Sequence, residues 1–267
     1  MPEEDRTTVL SETRRIWDTI AEWWDDKIGD GNDFQQVLLE PTTERLLGDI
    51  SGQVILDVGC GAGRFARRMA ELGASVVAFD FSERFINRAQ QRTPSGMPIE
   101  YQVADGTDYH RLLEFGESRF DHAVATMNLM DMIEIDPLFR ALASLLKPNG
   151  HFICTIMHPC FQPPGMAKYA ELSESDGKFI KQNGVKIPHY LTPIAYRGTG
   201  IVGQAETQYY FHRPLSIYMQ TALAAGFVLD GLEEPSFPPA NVKPGGLRWD
   251  DMPEIPPVLA MRFRRNG

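Results

Sequence analysis

The 267-residue chain has few cysteines, no hydrophobic run long enough for a bilayer and too little positive charge for a polyanionic partner. Cys60, Cys154 and Cys160 are irregularly spaced and form no C-x-x-C pair, so neither a disulfide framework nor a zinc site is indicated. Reduced thiols predict a cytoplasmic protein and no metal. No apolar stretch approaches the ~20 residues of a membrane span. The opening Met-Pro-Glu-Glu-Asp-Arg is acidic where a signal peptide is basic. Lys and Arg number 26 against 36 Asp and Glu, a formal charge of −10 that repels nucleic-acid phosphates and anionic lipid. The one basic cluster, Arg262, Arg264 and Arg265, reads as a solvated strand end. Exclusion therefore leaves a small molecule as the expected partner, with nucleic acid and membrane disfavoured. The chain has no internal repeat, and its 43% hydrophobic content suits one large α/β domain.

The most informative stretch is Val54-Ile55-Leu56-Asp57-Val58-Gly59-Cys60-Gly61-Ala62-Gly63. A buried strand runs into a carboxylate, then a side-chain-poor turn, then a helix from Arg64 to Leu72. That arrangement is a ledge on which a ligand touches backbone. A second apolar run, Ser75 to Phe79, ends in Asp80, a spacing that suits the paired hydroxyls of a ribose. The glycine register argues against a dinucleotide. In G-x-G-x-x-G counted from Gly59 and Gly61, the third glycine position is Arg64, and the glycine falls one residue early, at Gly63. Asp57 would also repel a pyrophosphate, yet it could hold an ammonium, directly or through water. A nucleoside with an amino-acid tail and no phosphate, S-adenosylmethionine, fits these residues.

At this point the chain resembles the class I S-adenosylmethionine-dependent methyltransferases of the small-molecule type, whose first motif reads D-x-G-x-G-x-G. Two later segments extend the similarity. Ile99 to Ala104 leads to Asp105-Gly106, and Phe120 to Thr126 leads to Met127-Asn128-Leu129-Met130-Asp131. The resemblance implies that Asp105 accepts the adenine amine beside Gly106, that Phe81 follows the ribose carboxylate, and that Met127 and Asn128 flank the methionine end. Trp17-Asp18-x-x-Ala21-x-x-Trp24 is similar to a Tyr-Asp-x-x-Ala-x-x-Tyr element whose aromatic residues close over the cofactor. With Trp at both ends, any role of a tyrosine hydroxyl does not carry over. The alternative is an amphipathic helix burying Ile16, Trp17, Ile20 and Trp24 as plain core.

The fold expected is α/β: a Rossmann-like, seven-stranded, mostly parallel sheet with helices on both faces. The resemblance supplies the strand order 3-2-1-4-5-7-6 with the seventh strand antiparallel. Residues 1–50, with amphipathic patterns at 9–24 and 34–47, form an N-terminal helical lid. Residues 51–267 form the core domain, interrupted after strand five by a β-rich cap at 158–213. Asn183-Gly184 predicts the cap's hairpin turn. Asp136 is expected to cap a helix with Pro137 at its first position, and Lys147 to Gly150 to turn into strand five. The proline-rich stretch 234–257 reads as a long surface connection.

Methyl transfer needs mainly alignment, so a missing triad is no argument against catalysis. His158, in His158-Pro159-Cys160-Phe161 after strand five, is the candidate general base or orienting residue. This motif, with the later His212-Arg213-Pro214, resembles a subset of the family. The competing reading has His158 capping the strand end through backbone bonds. Asp131 and Glu206 are further ionisable candidates, solvated by default, and Tyr190, Tyr196, Tyr209 and Tyr210 line a pocket or pack the cap. The function expected is methyl transfer to O, N or S of a small, partly apolar molecule, with carbon left open. The alternative is a catalytically silent cofactor-binding partner subunit. An RNA methyltransferase would need a basic groove. Oligomeric state is not legible.

Overall fold

A computed structural model describes residues 3–238 and 247–266. Seven strands form the central sheet: β1 (Val54–Val58), β2 (Ser75–Asp80), β3 (Ile99–Val103), β4 (Phe120–Thr126), β5 (Leu146–Met157), β10 (Phe227–Glu233) and β11 (Val258–Arg265). Their spatial order is β10-β11-β5-β4-β1-β2-β3, and β11 alone runs antiparallel to both neighbours. That is the expected order. The parallel registers Val58↔Phe79, Val58↔Ala125 and Thr126↔Thr155 align the strand ends. The residues that follow β1, β2, β3 and β4 therefore emerge along one edge, where ligands bind in such sheets.

Side-chain alternation splits the core between the two faces. Leu56, Val58, Val77 and Phe79 pack with Leu138 and Leu142 of α6 (Asp136–Leu145) and Tyr218 of α7 (Leu215–Ala224). Ile55, Val76 and Ala78 pack instead against Phe65 and Met69 of α3 (Arg64–Glu71) and Leu46 and Leu47 of α2 (Glu40–Leu47). Asp57 shares the parity of Ile55, so its carboxylate is carried onto the α3 side. Ser82 caps α4 (Glu83–Arg92) by accepting from Phe85 N at 3.2 Å, as its sequence position predicts. The short α5 (Tyr109–Leu113) follows β3.

The N-terminal residues form α1 (Glu3–Ile28), then a π-helical stretch Phe34–Leu39 that runs into α2. Pro41 lacks the N–H an α-helix would use there, which favours the wider turn before it. Ile16, Trp17, Ile20 and Ala21 of α1 are buried against Phe85. Ser82 Oγ donates to Asp18 at 2.6 Å, and Asp25 takes Arg88 and Arg92, each at 2.6 Å. On the other side α1 meets the cap: Arg15 pairs with Glu206 at 2.5 Å and Glu12 with Arg197 at 3.0 Å.

The segment after β5 is β-rich, as expected, with hairpins β6 (Ala167–Ser175)/β7 (Lys178–Lys186) and β8 (Ile194–Gly198)/β9 (Gln208–His212). Its turn differs from expectation. Asp176 and Gly177, with φ of 52° and 71°, make the two-residue loop, while Asn183 and Gly184 lie within β7. Both dipeptides suit φ > 0, but Gly184 is needed because the Tyr169 ring crosses it, 2.7 Å from where a Cβ would stand. Two boundaries also move. Ile135, not Asp136, flanks α6, and the strand β5 begins at Leu146, ahead of the predicted turn. The stretch 234–257 extends in part outside the described residues; within it Met252 is buried, so it is more than a surface connection.

Candidate functional site

The strand ends, the glycine loop, α1, the π-helical stretch and the cap enclose a cavity of about 710 Å³, within the range of small-molecule sites. Its floor is the loop after β1. Gly59 (φ 60°) and Gly61 (φ 53°) line it, and both need the left-handed region. A Cβ on Gly59 would collide with Asn128 Nδ2, which donates to the carbonyls of Val58 and Gly59 and so braces the loop. Met127, with φ of 56°, turns the chain sharply after β4 and brings Asn128 underneath.

Asp80 ends β2 and lines the cavity. Its Oδ2 accepts from Gly61 N and its Oδ1 from Ser82 N, each at 2.9 Å. Burial outweighs these bonds and moves its acidity from 3.8 to about 6. Phe81 lies beside it on the wall. Asp105 and Gly106 line the next stretch. Asp105 accepts from Thr107 N at 2.9 Å and from Arg14 of α1 at 3.1 Å. Trp17 and Trp24 cover the cavity from α1 with their rings edge to face, 5.0 Å apart.

Two of the predicted cofactor residues stand off the wall. Gly63 precedes α3 with φ of 72°, and a Cβ there would strike the Tyr101 hydroxyl, with Ala89 3.0 Å away. It is a packing glycine rather than a lining one. Asp57 is 1% exposed behind the loop and neither carboxylate oxygen has a hydrogen-bond partner. Burial first, then the charge of Asp80, moves it from 3.8 to about 8. Asp57 thus sits behind the loop rather than on the cavity wall.

His158 also stands off the wall. It is 2% exposed and outside the cavity lining. Its Nε2 meets Glu234 at 2.7 Å, and its Nδ1 accepts from Cys160 N at 3.2 Å. Both ring nitrogens are engaged, which is the strand-end capping arrangement. Burial lowers its basicity, with Glu234 opposing. Glu206 binds Arg15 and Arg197 away from the cavity. Of the four tyrosines only Tyr210 lines the main cavity; Tyr196 stacks on it at 5.5 Å, Tyr209 donates to Glu12, and Tyr190 accepts from Leu215 N.

Sequence reasoning missed Gln208, Arg64 and Trp249, which line the cavity from β9, α3 and the connection before β11. Arg64 could have been flagged by its position directly after the glycine loop; Gln208 and Trp249 carry no local signal. Arg64 is the one cationic side chain lining the cavity among the described residues, and Glu40 takes it at 2.5 Å. Asp25 and Asp105 are likewise matched by arginines. Among the described residues, Asp80 and Asp131 have no cationic partner.

The family described as "Methyltransferase domain" matches residues 55–150. The ubiquinone biosynthesis O-methyltransferase of Sinorhizobium medicae is 31% identical over 172 residues, covering 58% of this chain and 67% of that protein. The corresponding enzyme of Xanthomonas euvesicatoria pv. vesicatoria is 35% identical over 145 residues, 50% of this chain and 56% of that one. This chain belongs to the class I S-adenosylmethionine-dependent methyltransferase family. A methyltransferase of Mesorhizobium loti shares its fold at a TM-score of 0.64, with 26% identity over 84% of this chain and 96% of that one. The chain spans about half the length of several curated relatives it matches, 48% of one and 56% of others.

The family's cofactor is S-adenosylmethionine, and the residues present fit it. A ligand with a sulfonium and an ammonium meets two cavity carboxylates that lack a cation, with the unpartnered Asp57 behind them. A diphosphate would meet the same carboxylates as repulsion.

Proposed function

We propose that the chain transfers a methyl group from S-adenosylmethionine to O, N or S of a small, partly apolar molecule, with oxygen the first acceptor to test. The ubiquinone biosynthesis O-methyltransferases among its relatives support oxygen. The observation that carries the reading is the continuity of one cavity. The glycine ledge and its unmatched carboxylates open directly onto apolar walls from the π-helical stretch, Ile133, Ile201 and Trp249.

In this reading the Gly59 and Gly61 backbone supports the amino-acid tail, and Asp57 favours its ammonium from behind. Arg64, at the start of α3, faces its carboxylate. Asp80 accepts from the ribose hydroxyls beside Phe81, Asp105 and Gly106 hold the adenine, and Met127 and Asn128 shape the methionine end. Residues 1–50 act as the lid, with Trp17 and Trp24 giving the sulfonium aromatic faces, while 158–213 form the acceptor-side cap of the core domain. The cofactor supplies an electrophilic methyl; the chain aligns the acceptor and keeps water out, an effect worth up to ~7–11 kcal/mol in favourable systems.

The test pairs calorimetry with labelled-methyl transfer. Tight binding of S-adenosylmethionine and S-adenosylhomocysteine, with label passing to small hydroxylated acceptors, is expected. Tight nicotinamide dinucleotide binding with no heat from either sulfur ligand would reverse the assignment.

A further inference from the structure

Asp131 lies beyond β4, where the loop from Met127 to Met132 meets β9. Phe211 N donates to Met130 O at 2.7 Å. The buried Arg213 guanidinium donates to the carbonyls of Leu129, Phe211 and Met132 at 3.2, 3.1 and 2.5 Å. These bonds fix the loop against the cap, and Asp131 lines the cavity with Oδ1 lacking a hydrogen-bond partner among the described residues. Gln208, only 2% exposed, lines the cavity with Asp131 and favours its ionised form. Its orientation is set from behind, because Gln204 Nε2 donates to Gln208 Oε1 at 3.0 Å and leaves the amide N–H groups for other partners.

Resting on the methyl-transfer reading, we propose that Asp131 receives the acceptor's proton during transfer and that Gln208 positions its carboxyl. The acceptor's O–H or N–H lone pair forms the new bond to the methyl carbon. The carbon–sulfur bond breaks with its electron pair left on sulfur as a neutral thioether, and the proton passes to Asp131 Oδ1. The acceptor is thereby assigned to a class: neutral or cationic, and presenting O–H or N–H to this end of the cavity. A carboxylate or phosphate at that point meets Asp131 and Asp80 as repulsion.

The surroundings suit a switchable acid. Asp80 faces it from β2, Tyr196 and Tyr210 from β8 and β9, and Tyr218 from α7; Arg213 spends its donors on backbone carbonyls. Burial keeps Asp131 protonated well above the usual carboxylate range, Gln208 opposing. A cation arriving in the same cavity favours the ionised form, so the base is generated when the methyl donor is present.

The experiment counts protons released on binding, by calorimetry near neutral pH in two buffers of different ionisation enthalpy. The probes are S-adenosylmethionine and S-adenosylhomocysteine. Wild type is expected to release up to about one proton more with the sulfonium than with the thioether, and Asp131→Asn to lose most of that excess. Asp57 and Asp80 remain in both proteins, so the difference isolates Asp131. Gln208→Met, a second variant, is expected to move the excess release to higher pH. Equal release by wild type and Asp131→Asn, or an unmoved profile in Gln208→Met, would overturn the proposal. Silence from both ligands would instead remove the cofactor reading.

Discussion

Asp57→Asn isolates the cost of placing a carboxylate where the protein gives it no partner. The wild-type group is buried, both oxygens are unpaired, and its acidity moves from 3.8 to about 8. Below about pH 4 the folded and unfolded chains both hold the proton. Between about pH 4 and 8 the unfolded chain releases it while the folded chain keeps it, so stability falls as pH rises and levels off above that window. At about 1.4 kcal/mol per tenfold, the full loss is about 6 kcal/mol. Asparagine escapes this loss but buries an amide whose hydrogens lack acceptors, which costs about 1–3 kcal/mol. The two stability curves should therefore cross. The variant is expected to be the less stable protein near pH 4 and the more stable one, by roughly 3–5 kcal/mol, near pH 9. Urea unfolding across that range, with m unchanged, measures it. Parallel curves would refute the reasoning, because they would mean the carboxylate is satisfied. Cofactor affinity should move the opposite way, weaker in the more stable variant.

Three further outcomes follow from the geometry. Gly63→Ala forces a Cβ against Tyr101 and Ala89, so a stability loss of about 1–3 kcal/mol is expected with cofactor Kd nearly unchanged; a large Kd change would return Gly63 to the binding surface. Trp24→Ala removes part of the cavity roof and should raise cofactor Kd at least tenfold, about 1.4 kcal/mol; a smaller rise would make Trp24 plain core. His158→Ala should leave kcat intact while lowering the urea midpoint, since its ring binds Glu234 and the Cys160 backbone. Burial lowers the basicity of His158, so its contribution to wild-type stability weakens as pH falls below the ordinary histidine value and charging sets in.

The sheet and its ligand edge were legible because they are written locally. Apolar runs of strand length end in Asp57, Asp80 and Asp105, and glycines at positive φ follow the first. Which of those residues reach the cavity was not, because it depends on side-chain parity and on what packs behind. Asp57 takes the parity of Ile55 and turns toward α3, and Gly63 makes room for Tyr101. His158 lies off the cavity for a related reason. Its position after β5 suits a catalytic group, but Glu234, distant in sequence, turns the ring away from the cavity. The cap hairpin offered two equivalent turn dipeptides, and Tyr169 across the strand decided between them. Gln208 carried no local signal; its importance comes from Asp131 and Gln204, which reach it through the third dimension.

The helix α1 grips both sides of the cavity. It reaches the Asp105 loop through Arg14 and the cap through Arg15 and Glu12. If residues 1–50 act as the proposed lid, the segment beside Asp105 and the one that shuts the far wall are the same rod, and the two reactants of such a site would share one timetable.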